Sequence, residues 1–137
     1  MTGPLILDTS AFVALVDRAQ RRHAECVHVL EGWTGQIATT EAVLTETLYM
    51  VGSDWQRQVP CFDFFFRGAF LLVPTSPVSL HRAAALMRRY QDIPMDYADA
   101  TLVALAEELR TNRVFTLDRK GFSIYRLHRD HAIEVVP

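Results

Sequence analysis

Asp8, Glu46, Asp99 and Asp118 are the residues of this sequence best placed to do chemistry, and the chemistry that suits them is the holding of a hard divalent cation. Asp8 follows the apolar run Pro4-Leu5-Ile6-Leu7, and Asp118 follows Val114-Phe115-Thr116-Leu117. Both runs suit buried strands, so both acids are expected just past a strand's carboxyl end. Taken alone, either acid is also a good helix cap or turn residue. Glu46 lies at helical spacing from Ala42, Val43, Tyr49 and Met50, which sets a carboxylate on an apolar stripe. Its rival Glu41 is rotated from it by about 140° on a helix. Glu41 also sits in the first turn, where the helix dipole alone favours an acid. Glu46 is therefore expected to serve the site and Glu41 the helix. Asp96 and Asp99 open a later helix. Asp96 fits its cap, and Asp99, with Leu102 and Val103 three and four residues on, is expected to point inward.

Four carboxylates converging at strand ends repel one another. Two unit charges 4 Å apart cost about 4 kcal/mol at an effective dielectric of 20. Such a group must hold protons through raised pKa values, or hold cations. An all-oxygen set favours Mg²⁺ or Mn²⁺ over Zn²⁺, which prefers nitrogen and sulfur. The histidines, His23, His28, His81, His128 and His131, lie away from these acids in sequence. His128 and His131, beside Arg126 and Arg129, suit a solvated segment. Cys26 and Cys61 fall within helical patterns and are expected in the core, not in a disulfide or zinc framework.

The elements that must position these acids alternate. Strands are expected over residues 4–7, 36–39, 70–73, 114–117 and 132–136. Helices are expected over 10–18, 22–33, 40–51, 55–66, 77–90 and 96–110, with Phe62, Phe65 and Phe66 on one side of the fourth. Asp118, before Arg119-Lys120-Gly121, could be a turn residue, and no helix is expected after it. Such alternation indicates an α/β fold with a mainly parallel sheet, in which function gathers beyond the carboxyl ends of the strands where strand order reverses.

The chain has 137 residues, half of them hydrophobic, which fits one domain over residues 1–137. A net charge of −2 argues against coating nucleic acid by charge alone. Lys120 is the only lysine; the remaining cations are arginines, whose planar fork suits phosphate and carboxylate alike. No apolar run approaches the roughly 20 residues that span a bilayer, and the first residues lack a secretory pattern. No membrane association and a cytoplasmic location are the expectations.

Four segments together carry a resemblance: Leu7-Asp8-Thr9-Ser10-Ala11, Val43-Leu44-Thr45-Glu46, Met95-Asp96-Tyr97-Ala98-Asp99-Ala100 and Phe115-Thr116-Leu117-Asp118-Arg119. In kind, order and spacing they resemble the PIN-domain nucleases, and more closely the VapC-type toxins of bacterial toxin–antitoxin pairs. The resemblance implies a three-layer α/β/α fold with a five-stranded sheet of order 3-2-1-4-5. It also implies a Mg²⁺- or Mn²⁺-dependent endoribonuclease that leaves a 5′-phosphate and a 3′-hydroxyl. Asp8 and Asp99 would be the main ligands, with Glu46 and Asp118 completing the set. Asp96, Thr116 and Ser10 would support them, and Arg119 would hold the RNA backbone. The implied partners are an RNA substrate, a small antitoxin and a second copy of the chain. The aromatic helix over residues 55–66 is a candidate face for the antitoxin or for a homodimer. A haloacid-dehalogenase-type phosphatase would need a second Asp where Ser10 stands. A catalytically silent PIN-like scaffold would be favoured by a missing acid, and none is missing.

Overall fold

The computed structural model describes residues 3–137. Five short strands, β1 (Leu5–Leu7), β2 (Ile37–Thr40), β3 (Phe70–Val73), β4 (Arg113–Phe115) and β5 (Glu134–Val136), form one sheet in the order β3-β2-β1-β4-β5. All four pairings are parallel. β1 is buried throughout, as a central strand covered on both faces requires. The expected order 3-2-1-4-5 is the order observed.

The connections are helical: α1 (Thr9–Val16), α2 (His23–Gly32), α3 (Glu41–Val51), α4 (Trp55–Phe66), α5 (Pro77–Arg89), α6 (Tyr97–Glu108) and α7 (Arg119–Ile124). The chain leaves β1 toward β2 and β3, then crosses back to β4 and β5, so order reverses between β1 and β4. Right-handed crossovers then put the connections of the two halves on opposite faces. α6 packs on β1 and β2 and is covered by α5, while α1 packs on α2, α3 and α4. Thr40 caps α3, and Ser76 and Ser79 close a capping box with Pro77 in the first turn of α5.

Three expectations need correction. Residues 119–124 are a helix, α7, where none was expected; Asp118 caps it, and buried Phe122 anchors it. On α4 the phenylalanines divide. Phe64 and Phe65 face inward with Phe12 and Phe70, at centroid distances of 4.5 to 6.2 Å, whereas Phe62 lies against Trp55 and Phe66 on the outer side. The inner face of α3 runs through Val43, Thr47 and Val51, and Tyr49 and Met50 are 77% and 65% exposed. Thr47 tolerates burial because its hydroxyl donates to the Val43 carbonyl at 2.8 Å. Cys26 and Cys61 are buried and free, as expected.

Phe12 is fully buried at the centre of the inner aromatic group. Phe12→Ala is expected to lower the unfolding free energy by about 3–5 kcal/mol, measured by urea denaturation followed by circular dichroism.

Candidate active site

The β1–β4 pairing builds the site. Leu7 pairs with Phe115, and the Asp8 amide donates to the Phe115 carbonyl at 2.9 Å, so Asp8 and Thr116 leave the sheet side by side. The Asp8 side chain is 5% exposed. It stands at the N-cap position of α1 yet makes no capping hydrogen bond, so its carboxylate is free for another role. The Thr116 hydroxyl donates to Asp8 Oδ2 at 2.7 Å and the Ser10 hydroxyl donates to the same oxygen at 2.9 Å. Ser10 Oγ in turn accepts from the Leu117 amide at 2.9 Å, and Thr116 Oγ1 accepts from the Asp118 amide at 2.9 Å. Burial pushes the Asp8 carboxyl above its ordinary value; the two hydroxyls and the Thr9 and Ser10 amides act the other way.

Asp99 lies in the first turn of α6, half-buried. Its pKa is pushed up to about 7, first by burial, then by the negative charges of Asp96 and Asp8, and last by that of Asp118. The Tyr125 hydroxyl, just past α7, donates to Asp99 Oδ2 at 3.0 Å. Burial and Asp99 push the phenol's own pKa up, so Tyr125 keeps its proton and remains a donor. Asp96 caps α6 by accepting from the Asp99 amide at 2.8 Å, the role expected of it, and is exposed. Asp118 is exposed and caps α7 by accepting from the Gly121 amide at 3.1 Å. A Cβ at Gly121 would lie 2.6 Å from Asp118 Oδ2, so a side chain there would require the Asp118 carboxylate to shift.

Glu46 stands apart from this group. It is half-buried and lines an open cleft with Ala42, Thr45 and Tyr49 of α3 and Asp96, Tyr97 and Ala98 of α6. It thus shares that cleft with Asp96, and is not among the charges that raise Asp99. Arg119 is exposed, and its guanidinium donates to the Pro137 carbonyl at 2.5 Å. Tyr125 had no signal in the sequence, being 26 residues from its partner.

A divalent cation fits what these residues present. Among the described residues no salt bridge involves Asp8, Glu46, Asp96, Asp99 or Asp118, so the negative charge is uncompensated from within. The donors are all oxygen, and the hydroxyl bonds fall on one oxygen of Asp8 and one of Asp99. Thr9 Oγ1, next to Asp8, is the one buried side-chain oxygen or nitrogen without a partner among the described residues. The acids do not close into a ready-made cage: among those residues no three acidic, histidine or cysteine side chains are close enough together to hold an ion.

Comparison with known proteins identifies the family. A family model of the PIN domain matches residues 5–127. The chain belongs to the PIN-domain family. This PIN domain is 29% identical over 135 residues to Ribonuclease VapC26 of Mycobacterium tuberculosis, covering 97% of this chain and all of that protein. Solved structures share the PIN-domain fold seen here. VapC20 of Mycobacterium tuberculosis, a sarcin–ricin-loop-cleaving toxin, has a TM-score of 0.77 at 16% identity, over 83% of this chain and 89% of that one. A toxin–antitoxin complex from Klebsiella pneumoniae has a TM-score of 0.67 at 24% identity, over 97% and 96%. VapBC2 of Rickettsia felis, bound to a DNA fragment from its promoter, has a TM-score of 0.70 at 15% identity, over 97% and 98%.

The raised pKa of Asp99 makes stability depend on pH. An acid whose pKa is higher in the folded chain favours folding while it holds its proton. That contribution is complete below the ordinary value of 3.8 and is lost as pH rises through about 7. Asp99→Asn removes the charge. In metal-free protein it is expected to raise the melting temperature at pH 8, with a gain that shrinks toward pH 5. Thermal melts of both proteins in EDTA across this range are the check; a gain independent of pH would contradict the assignment.

Proposed function

We propose that this PIN domain is a metal-dependent endoribonuclease acting in the cytoplasm as the toxin of a toxin–antitoxin pair. The observation that carries this reading is that buried Asp8 and the rim acid Asp118 lie near enough to Asp99 for their charges to raise it, at the reversal of strand order, with no cation paired to them among the described residues. Asp8 and Asp99 are the residues to hold Mg²⁺ or Mn²⁺, with Asp118 and Glu46 contributing from the rim. The relationship to Ribonuclease VapC26 supports RNA as the substrate.

The ion supplies Lewis acidity, favouring ionisation of a water and neutralising charge that develops on the phosphate. The chain supplies position. Thr116 and Ser10 fix Asp8 Oδ2, which sets the direction of the other oxygen. Asp118 holds α7 in place as its cap. In the reaction a water oxygen bonds to phosphorus, the bond from phosphorus to the 3′ oxygen breaks, and that oxygen departs with a proton. The products are a 5′-phosphate and a 3′-hydroxyl.

The antitoxin would cover the outer aromatic row of Trp55, Phe62 and Phe66. Phe66 is 81% exposed and Trp55 60%, an apolar surface that water solvates poorly. The Klebsiella and Rickettsia toxin–antitoxin structures, alike in fold, support a partner of this kind. Among the described residues no helix is long and apolar enough to cross a membrane.

Two experiments test the proposal. Purified protein with Mg²⁺ or Mn²⁺ should cut RNA internally. EDTA should stop the reaction, and Asp8→Asn should reduce it to the buffer background; cleavage in EDTA, or an Asp8→Asn protein as active as wild type, refutes the mechanism. Induced alone in bacteria, the chain should arrest growth, and co-expression of its neighbouring small gene should relieve the arrest. Unimpaired growth refutes the toxin assignment.

A further inference from the structure

We propose that Tyr125 is a positioning residue for Asp99, its hydroxyl holding Oδ2 so that Oδ1 is presented to the cation. The proposal rests on the metal-dependent reading of the site given above.

The geometry is specific. Tyr125 is 2% exposed, and its hydroxyl donates to Asp99 Oδ2 at 3.0 Å. The ring is fixed from two sides. Tyr90 meets it edge to face at 5.2 Å between centroids, and Phe122 does so at 5.4 Å. Tyr90 is itself held, because its own hydroxyl accepts from the Arg126 amide at 2.9 Å, next to Tyr125 in the chain. The Arg126 guanidinium then donates to the carbonyls of Ser123, Ile124 and Tyr125, which secures the end of α7. A phenol clamped in this way has little rotamer freedom left, so it presents its O–H at a fixed point.

Asp8 is served in the same manner. Its Oδ2 accepts from Thr116 and Ser10, and the oxygen of Asp99 that accepts from Tyr125 is likewise one of two. Both carboxylates thus have one oxygen tied to hydroxyl donors. Outer hydrogen bonds of this kind set the orientation of a metal-binding carboxylate. A simpler account is that a buried phenol needs some acceptor and Asp99 is at hand. The two accounts differ in what loss of the oxygen does to metal binding.

Tyr125→Phe keeps both ring contacts and removes only the O–H. Thr111→Val is the control: it removes a buried hydroxyl that accepts from the Arg113 amide at the amino end of β4, and leaves the aromatic clamp and the Asp99 bond intact. Binding of Mn²⁺ alone, by isothermal titration calorimetry, is the primary readout. Tyr125→Phe is expected to bind Mn²⁺ about 10- to 100-fold more weakly, and Thr111→Val to bind it as wild type does, whatever its melting temperature. In RNA cleavage at saturating Mn²⁺, Tyr125→Phe should lower kcat and leave KM unchanged. Equal Mn²⁺ affinity in Tyr125→Phe and wild type overturns the proposal, as does an equal loss in both variants, which would assign the effect to packing. A wild-type chain that binds no Mn²⁺ overturns the metal reading itself. That result is distinguishable from a wild type that binds the ion and a Tyr125→Phe protein that binds it equally well.

Discussion

The pairing of β1 with β4 is the constraint on which the rest of the site depends. It carries a carboxylate, Asp8, into the interior with no cation paired to it among the described residues, an arrangement that would be costly in an apolar core. The chain lowers that cost with hydroxyl donors, not with arginine or lysine. A fixed cation would neutralise the acid permanently and occupy the position of an exchangeable one. Hydroxyls stabilise the charge without cancelling it. Burial first, and then the charges of the surrounding acids, push the Asp99 carboxyl up to about 7.

The same economy of hydroxyls recurs along the carboxyl edge of the sheet. Thr39 donates to the Leu7 carbonyl at 2.7 Å, tying β2 to the end of β1 just before Asp8. Thr40 and Thr101 share a hydrogen bond of 2.9 Å, and Thr101 also donates to the Ala98 carbonyl at 2.7 Å, beside Asp99. These threonines fasten β2 and the first turn of α6 to the strand that ends in the site. Away from that edge the fold relies on packing. The Phe12 group fills the space beneath α4, and Arg82 makes a two-pronged bond to nearly buried Glu107, at 2.7 and 2.9 Å, joining α5 to α6.

What the sequence disclosed, and what it withheld, follows from how local each signal is. An apolar run that ends in an acid is a local feature, so Asp8 could be anticipated from it, whereas the sheet order and the companions Ser10 and Thr116 were implied by the family resemblance. The α4 boundaries, set by Asp54 before and the positive-φ Gly68 after, were as legible. Three features were not. α7 is six residues long and contains a glycine, so its pattern is too short to distinguish from a turn. The inward face of α3 includes Thr47, a polar residue made buriable by a bond to its own helix, and a stripe drawn through Tyr49 and Met50 therefore misses the core. Tyr125 reaches Asp99 only through tertiary folding, which neither period nor propensity encodes.

The hydrogen bond between Thr116 and Asp8 joins residues 108 apart in the chain. During synthesis Asp8 therefore emerges long before its main donor exists. β4 must clear the ribosomal tunnel and insert beside β1 before either leading carboxylate has its orientation. Tyr125 comes later still. Until then the growing polypeptide is a set of helices around an incomplete sheet, with its acids in water. An enzyme that degrades RNA would in this way be made on an RNA machine while remaining inert, its activity deferred by topology until β4 and Tyr125 have been made.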